Sequence, residues 1–508
     1  MRGPSRARET RIVSLALLAL GGCTASNAGA GATTGSAGSG SMMAGAGGAA
    51  GGAAGSAGSS GSSGGGLAGT SADAGSATTG GSGGATAGGS GGSLAGAGGT
   101  AGTAGAGGAA GAGGGSGAGG AAIVMGSLTF TRKTLHMLNY AEGIGVGDFN
   151  KDGHVDVNSG PFWWEGPTFD KRHQYFPPPA NNAYTDKTLG DWADYPVDVD
   201  GDGWVDSINI MRPGTPSYWY KNPGAPGVEA DIGAWAQQVV GTLVMEQSAF
   251  ADLTGDGKPQ LIGAIEGKTG WFDVGATSPW TFTPIGVSGA TVAYAWWHGI
   301  GTGDLDGDGK QDLLTDTAWY SRPAGGARAG AWIRHAQVFK GDGVADDQGP
   351  SQMFGYDVDG DGDQDVVTAL DAHGYGVAWY ENDKGTFTRH MIVGGAGSMA
   401  TNAGMIAPFS QPHAMWLADV DGDGVKDLIT GKSFYAHPPG MGDPDADGTP
   451  VFYVFKLVRG AQGVTWQPHL VDSVVGLGRQ FTTADLNGDG KIDIAVASKH
   501  GAFLFFQQ

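Results

Sequence analysis

Asp148-Phe149-Asn150-Lys151-Asp152-Gly153-His154-Val155-Asp156 is the stretch that decides the fold, because its pattern Asp-x-Asp/Asn-x-Asp-Gly-x-x-Asp returns along the chain. Further copies carry Asp198, Asp200, Asp202, Gly203 and Asp206; Asp304, Asp306, Asp308, Gly309 and Asp312; and Asp357, Asp359, Asp361, Gly362 and Asp365. Two more carry Asp419, Asp421, Asp423, Gly424 and Asp427, then Asp485, Asn487, Asp489, Gly490 and Asp493. A degenerate copy has Asp252, Thr254, Asp256 and Gly257, with Gln260 in place of the last Asp. Carboxylates at alternate positions of a tight loop converge on one point, as a hard cation such as Ca2+ requires. The glycine supplies the backbone conformation that lets the loop turn. Six loops carry three to five carboxylates each, and their mutual repulsion argues against empty loops. Structural Ca2+ in up to seven loops is therefore expected, with the third loop the weakest.

An EF-hand needs a bidentate Glu at the twelfth position and a helix after the loop. Here the twelfth residues are Ser159, Asn209, Thr315, Thr368, Thr430 and Val496, and runs such as Asp493-Ile494-Ala495-Val496-Ala497-Ser498 follow. Those runs have the composition of strands. A calcium loop feeding a β-strand, repeated about every 50–66 residues, resembles the FG-GAP/VCBS repeat, the blade unit of integrin-α-type propellers. The resemblance spans Leu128–Gln508 and implies an all-β, seven-bladed β-propeller over residues 122–508.

The 508 residues divide sharply in composition. Residues 24–121 are almost wholly Gly, Ala, Ser and Thr with one charge, Asp73. Such a run has too little apolar bulk to offset the entropy of ordering and reads as a tether spanning roughly 50–60 Å. All fifteen Trp lie beyond it. The net charge of −21 argues against nucleic acid and anionic membrane surfaces. The loops hold 25 of the 49 acidic residues, counting Asp363, so the acidity belongs to metal binding and not to a basic partner.

Residues 1–23 read as a targeting segment. Arg2, Arg6, Arg8 and Arg11 precede an apolar run, Ile12–Leu20, too short to span a bilayer. It ends in Leu20-Gly21-Gly22-Cys23, which resembles the bacterial lipobox, and Cys23 is the only cysteine. The resemblance implies an exported lipoprotein with Cys23 lipidated, in the outer membrane of a Gram-negative envelope. Its contact with the membrane would be through the lipid anchor only, and the chain is expected to be a monomer.

A ring of blades must join its ends. Trp280-Thr281-Phe282-Thr283, Thr386-Phe387-Thr388-Arg389 and Val464-Thr465-Trp466 read as outer strands, and Thr129-Phe130-Thr131-Arg132 shares their character. The last blade stops at Phe503-Leu504-Phe505-Phe506 without one. Leu128–Leu135 is therefore expected to complete it and remove exposed edges. Aromatic pairs recur after the loop strand (Trp163-Trp164, Trp219-Tyr220, Trp271-Phe272, Trp319-Tyr320, Trp379-Tyr380, Phe434-Tyr435). A feature repeated in nearly every blade reads as packing between blades, not as a sugar platform.

Function is sought where the blades differ. Six residues before the first loop Asp the series reads Glu142, Trp192, Glu246, His298, Ser351, His413 and Arg479, at the start of the innermost strands. These side chains are expected around the channel mouth, joined from the neighbouring turns by Arg212, Glu266, Lys268, Asp371, His373, Lys432, His437, Lys499 and His500. Two classes of function follow. As a binding module, the mouth would capture a glycan or surface protein, with Glu246, Lys268, Asp371 and Lys432 as ligand contacts. As an enzyme, it would resemble the propellers of polysaccharide lyases and aldos-2-ulose dehydratase, which perform β-elimination on sugars. That second resemblance implies a further divalent metal on Glu246, His298 and His413, with Arg479 stabilising an enolate-like intermediate and His373 as base.

Overall fold

The computed structural model describes residues 128–180, 190–229, 235–265, 267–286, 296–345, 348–395, 406–437 and 440–508. The readings of a signal segment, of Cys23 and of the tether, and the residue Glu266, lie outside these.

Among the described residues the fold is all-β, with no α-helix. The chain opens with β1 (Phe130–His136) and then repeats a four-strand meander. First come β2 (Gly145–Gly147), β3 (Asp156–Ser159), β4 (Phe162–Trp164) and β5 (Arg172–Gln174). Next are β6 (Asp191–Val197), β7 (Asp206–Met211), β8 (Pro216–Lys221) and β9 (Ala236–Thr242). The third group is β10 (Ala249–Ala251), β11 (Gln260–Ile265), β12 (Lys268–Asp273) and β13 (Phe282–Pro284). The fourth is β14 (Ile300–Gly303), β15 (Asp312–Thr315), β16 (Ala318–Ser321) and β17 (Ile333–Ala336). The fifth is β18 (Gln352–Tyr356), β19 (Asp365–Ala369), β20 (Val377–Asp383) and β21 (Thr386–Val393). Then follow β22 (Met415–Ala418), β23 (Asp427–Gly431), β24 (Phe452–Gly460) and β25 (Gly463–Asp472), and last β26 (Thr482–Ala484), β27 (Asp493–Ser498) and β28 (Gly501–Gln507).

The expected seven separate sheets are not what forms. Five sheets have four strands each, and a sixth has eight, ordered β17-β16-β15-β14-β18-β19-β20-β21. Its two halves are joined by parallel pairing of β14 with β18, Ile300 opposite Gln352 through Thr302 opposite Phe354. The cause is local. A Cβ on Gly301 would strike the carbonyl of Met353, and one on Gly303 would lie 2.6 Å from the Cα of Gly355. Without side chains at these positions, two inner strands approach to hydrogen-bonding distance.

β1 lies at the outer edge of the sheet ordered β1-β28-β27-β26, antiparallel to β28 with Phe130 opposite Gln507. The two ends of the described chain thus share one sheet, and β2 also contacts β26. A core cluster runs through this seam, uniting Val157 and Trp164 with Ile494 and Phe503.

In the loops, the first Asp caps the turn: Asp148 accepts the N–H of Asp152 at 3.1 Å and of Gly153 at 3.0 Å. Gly153 has φ +87, and its counterparts in the other loops are likewise left-handed, so glycine is required there. The ninth-position Asp does different work. Asp206 accepts the N–H of Val199 at 3.0 Å and of Asn222 at 2.7 Å, tying the loop to the end of β8. Asp156, Asp365, Asp427 and Asp493 make the same double bond, and all are buried. In the third loop Gln260 accepts the N–H of Thr254 at 3.0 Å, while its amide donates to the Lys258 carbonyl at 2.7 Å and Asp256 at 3.4 Å. That loop is closed by an amide that points donors inward, where the others point oxygens.

The pairs Trp163-Trp164, Trp219-Tyr220, Trp271-Phe272, Trp319-Tyr320 and Trp379-Tyr380 are buried. Three of the Trp stack on a histidine of the adjoining outer strand: Trp163 on His173, Trp319 on His335 and Trp379 on His390. Phe434-Tyr435 is the exception. It precedes β24, and the strand position opposite Leu428 is filled by Phe455. The described residues between β23 and β24, 432–437 and 440–451, form an insertion that reaches the site described next.

Candidate functional site

Turns entering the inner strands, together with two loops, deliver ionisable side chains to one cavity of about 400 Å3. Glu142, Glu246, His298, His373, Arg479 and Lys499 are among its lining. His413 lies against them, 1% exposed. A second cavity, about 440 Å3, lies among the inner strands and is lined by Tyr195, Phe250, Tyr356 and Trp416. It lacks this cluster, so the chemistry is assigned to the first.

At the centre four side chains converge. His298 Nε2 is 3.2 Å from His413 Nε2 and 3.1 Å from His373 Nε2. Glu246 Oε2 is 3.3 Å from His298 Nε2 and 3.2 Å from His413 Nε2. Arg479 contacts the same Glu246 oxygen and places Nη1 3.1 Å from His413 Nε2. One ligand atom from each of Glu246, His298, His373 and His413 lies within 4.8 Å of all the others, and all four residues are buried.

The protonation of this cluster follows from its surroundings. Asp443, in the 432–451 insertion, faces His373 Nδ1 at 3.2 Å and His437 Nδ1 at 3.0 Å, and it accepts from Gln411 Nε2 at 2.8 Å. Burial alone would raise the Asp443 carboxyl, but the hydrogen bonds from His373 and His437 outweigh it and hold the group far below its usual range. An ionised carboxylate only accepts, so His373 Nδ1 carries the hydrogen and its Nε2 presents a lone pair to the centre. Burial lowers His373 to about 4, only partly opposed by Asp443. It drives His413 well below the ordinary imidazole value, reinforced by His373 and His298. At 3.1–3.2 Å these ring nitrogens are close enough to share an N–H···N hydrogen bond, or to turn their lone pairs on a common cation. Imidazoles plus one carboxylate form a donor set that suits a divalent transition metal better than calcium.

The surrounding wall is cationic and aromatic. Lys499 Nζ lies 2.9 Å from Glu142 and donates to the Tyr435 carbonyl at 2.7 Å. Burial would raise Glu142, but Lys499 and Arg479 pull it below its usual value. Burial also pulls the Arg479 guanidinium down, with Glu142 opposing. Arg479 sits 3.8 Å over the ring of Trp192.

Three residues expected to contact ligand are placed elsewhere. Lys268 is exposed at the β11–β12 hairpin, opposite Ile265. Lys432 is 1% exposed and its ammonium is spent on Ser410 Oγ at 3.0 Å and Gln411 Oε1 at 3.1 Å. Asp371 accepts the N–H groups of His373 and Gly374, so it shapes the turn that aims His373 and does not itself line the cavity. His373 reaches the centre from the β19–β20 turn, as expected, and its Nε2 stands among the converging donors, which makes it a ligand candidate in place of a base. Ser351 is buried, and His500 stacks on Phe434. Asp443 escaped the sequence reading because alignment on the loops does not reach an insertion. The signal was present as the longest interval between copies, from Asp419 to Asp485.

The FG-GAP-like repeat family matches residues 252–315 and 357–430, so the chain carries FG-GAP-like repeats. No curated protein matches the chain in sequence. Among solved structures it is similar to an Agrocybe aegerita lectin described as recognising non-reducing terminal N-acetylglucosamine. That match has 16% identity, 68% of this chain, 82% of the other, and a TM-score of 0.37. It is also similar to rhamnogalacturonan lyase YesW (13%, 74% and 72%, 0.36) and to BBS1N in complex with ARL6DN (12%, 75% and 96%, 0.40). Likeness at these identities concerns the fold alone.

Proposed function

We propose that the chain is a metal-dependent enzyme acting on sugars, a carbon–oxygen lyase whose centre is Glu246, His298, His373 and His413. The observation that carries this reading is the approach of three buried imidazole nitrogens to one another with a Glu oxygen among them. The donors come one each from consecutive repeats, three to six, with Arg479 from the seventh. A lectin of repeated design would place equivalent residues in several blades alike. A cavity of about 400 Å3 is of the size that takes a small ligand.

A divalent ion held there would act as a Lewis acid toward a carbonyl or hydroxyl oxygen. The chain's own residues supply the rest. Arg479 and Lys499 offer donors to negative charge developing beside the carbonyl. His437, half-buried in the cavity wall with Nδ1 held by Asp443, is placed to take the proton next to that carbonyl. The electron pair of the broken C–H bond forms the double bond, the C–O pair stays on the β-oxygen, and that oxygen leaves as a hydroxyl by taking up the proton that His437 has accepted. Asp443 orients both histidines, one toward the metal donors and one toward the cavity.

Calcium in the Asp-rich loops, a count of seven blades with the eight-stranded sheet taken as two, and lipid anchoring at Cys23 belong to the same reading. The experiment is direct. Protein supplied with divalent transition metal is incubated with oxidised and acidic sugars and followed in the ultraviolet for a conjugated double bond. An absorbing product that His298→Gln abolishes supports the lyase. A panel without product, while a sugar still binds, returns the site to a binding module.

A further inference from the structure

One cation of the cavity wall has no carboxylate beside it. The lining holds Glu142 and Glu246 with Arg212, Arg479 and Lys499, and the third carboxylate, Asp443, is turned to His373 and His437. Glu142 lies beside Lys499 and Arg479, and Glu246 is in contact with Arg479. Arg212 is left over. Among the described residues no carboxylate lies within ion-pair distance of it, and its Nε is buried without a hydrogen-bond partner. A buried donor of this kind is costly unless a partner arrives.

The position of Arg212 is built. Its N–H donates to the Gly190 carbonyl at 2.7 Å, and its own carbonyl accepts from Thr215 N at 3.0 Å, so the turn after β7 fixes its backbone. The guanidinium lies 5.0 Å over the ring of Trp296. Trp296 has φ 79, a left-handed conformation that is expensive for a bulky residue, and its N–H is held by the Val244 carbonyl at 2.7 Å. Trp296 packs 5.7 Å from Trp192, which carries Arg479 on its ring. Two arginines backed by two indoles thus stand in one row along the wall. Stacking on a ring leaves the in-plane N–H groups of a guanidinium available for a bidentate carboxylate.

We propose that Arg212 is the specificity residue of this site, and that the sugar bound there is an acidic one whose carboxylate pairs with Arg212. The inference rests on the cavity being the functional site proposed above, and it fixes the substrate class as uronates over neutral sugars. A divalent ion at the centre would add positive charge and favour an anionic ligand further.

The test compares galacturonate with galactose, which share a ring and differ at the oxidised carbon. Calorimetric titration of the full chain, metal-loaded and metal-free, is expected to show galacturonate binding at least about ten-fold more tightly in both forms. Arg212→Gln should reduce galacturonate to the level of galactose, while Arg212→Lys keeps part of the preference. Melting temperature and metal content should stay unchanged in both variants. Equal binding of the two sugars, binding of neither, or a preference that survives Arg212→Gln would each overturn the assignment. A chain that holds no transition metal would defeat the proposed centre and leave the Arg212 comparison readable.

Discussion

Removing calcium should destabilise the propeller far more at about pH 8 than at about pH 5, and the ninth-position carboxylates set that window. Asp156, Asp206, Asp312, Asp365, Asp427 and Asp493 are all 0 or 1% exposed. Burial pushes Asp206 up to about 8, Asp156, Asp312, Asp365 and Asp427 up to about 7, and Asp493 up to about 6. Neighbouring loop carboxylates add to the rise, and backbone N–H groups offset part of it. Without a cation the folded chain therefore keeps protons that the unfolded chain, with carboxyls near 4, has already released. For a folded value above the unfolded one, the contribution to stability is complete below about pH 4 and is lost as pH rises through about 6–8. A carboxyl held at about 7 in place of about 4 corresponds to at most on the order of 4 kcal/mol for its loop. Bound calcium cancels the loss, because the ionised carboxylate is the form it stabilises. The assay is thermal melting by circular dichroism of resin-stripped protein, with and without millimolar calcium, across this pH range. The calcium-dependent increment should be small at about pH 5 and exceed about 10 °C by about pH 8. An increment that is absent, or equal at both ends, would refute the reasoning.

Three further perturbations separate the parts of the account. Thr254→Asp combined with Gln260→Asp should add one calcium to the stoichiometry found by elemental analysis, because it replaces the inward donors that now close the third loop; an unchanged count contradicts this. Asp443→Asn should weaken transition-metal binding by roughly 10–100-fold in competition with a chromophoric chelator, by loosening the tautomer of His373, and equal affinity would show that the carboxylate does not orient the site. Deleting residues 128–136 uncovers β28 and should cost several kcal/mol, a large fraction of a domain's stability. Deleting residues 45–115 should leave melting untouched, and equal tolerance of both deletions would contradict closure through β1.

The repeat was legible because its acidic loops keep one spacing in copy after copy. Carboxylates at alternate positions followed by an alternating apolar run can be read in one dimension, and so can an unpaired last blade. Aligning the copies also exposed Glu246, His298, His413 and Arg479, since a position that is uniform for packing would not vary in charge. What escaped depended on the third dimension. Pairing of β14 with β18 follows from the bare backbones of Gly301, Gly303 and Gly355, which in sequence resemble any strand glycines. Lys432 and Asp371 carry the right chemistry at the right end of the blade, yet one is buried on Ser410 and Gln411 and the other caps a turn. Asp443 lies in an insertion that obeys no repeat, and only its proximity to His373 and His437 reveals it.

The central claim, a transition-metal centre distinct from the calcium loops, is tested most directly by elemental analysis of the purified full chain beside His298→Gln and His413→Gln. The account predicts about one transition-metal ion per wild-type chain in addition to calcium. It predicts loss of that ion in both variants, with the calcium count unchanged. A wild-type chain that neither retains nor takes up a transition metal, or variants that hold it equally well, would contradict it.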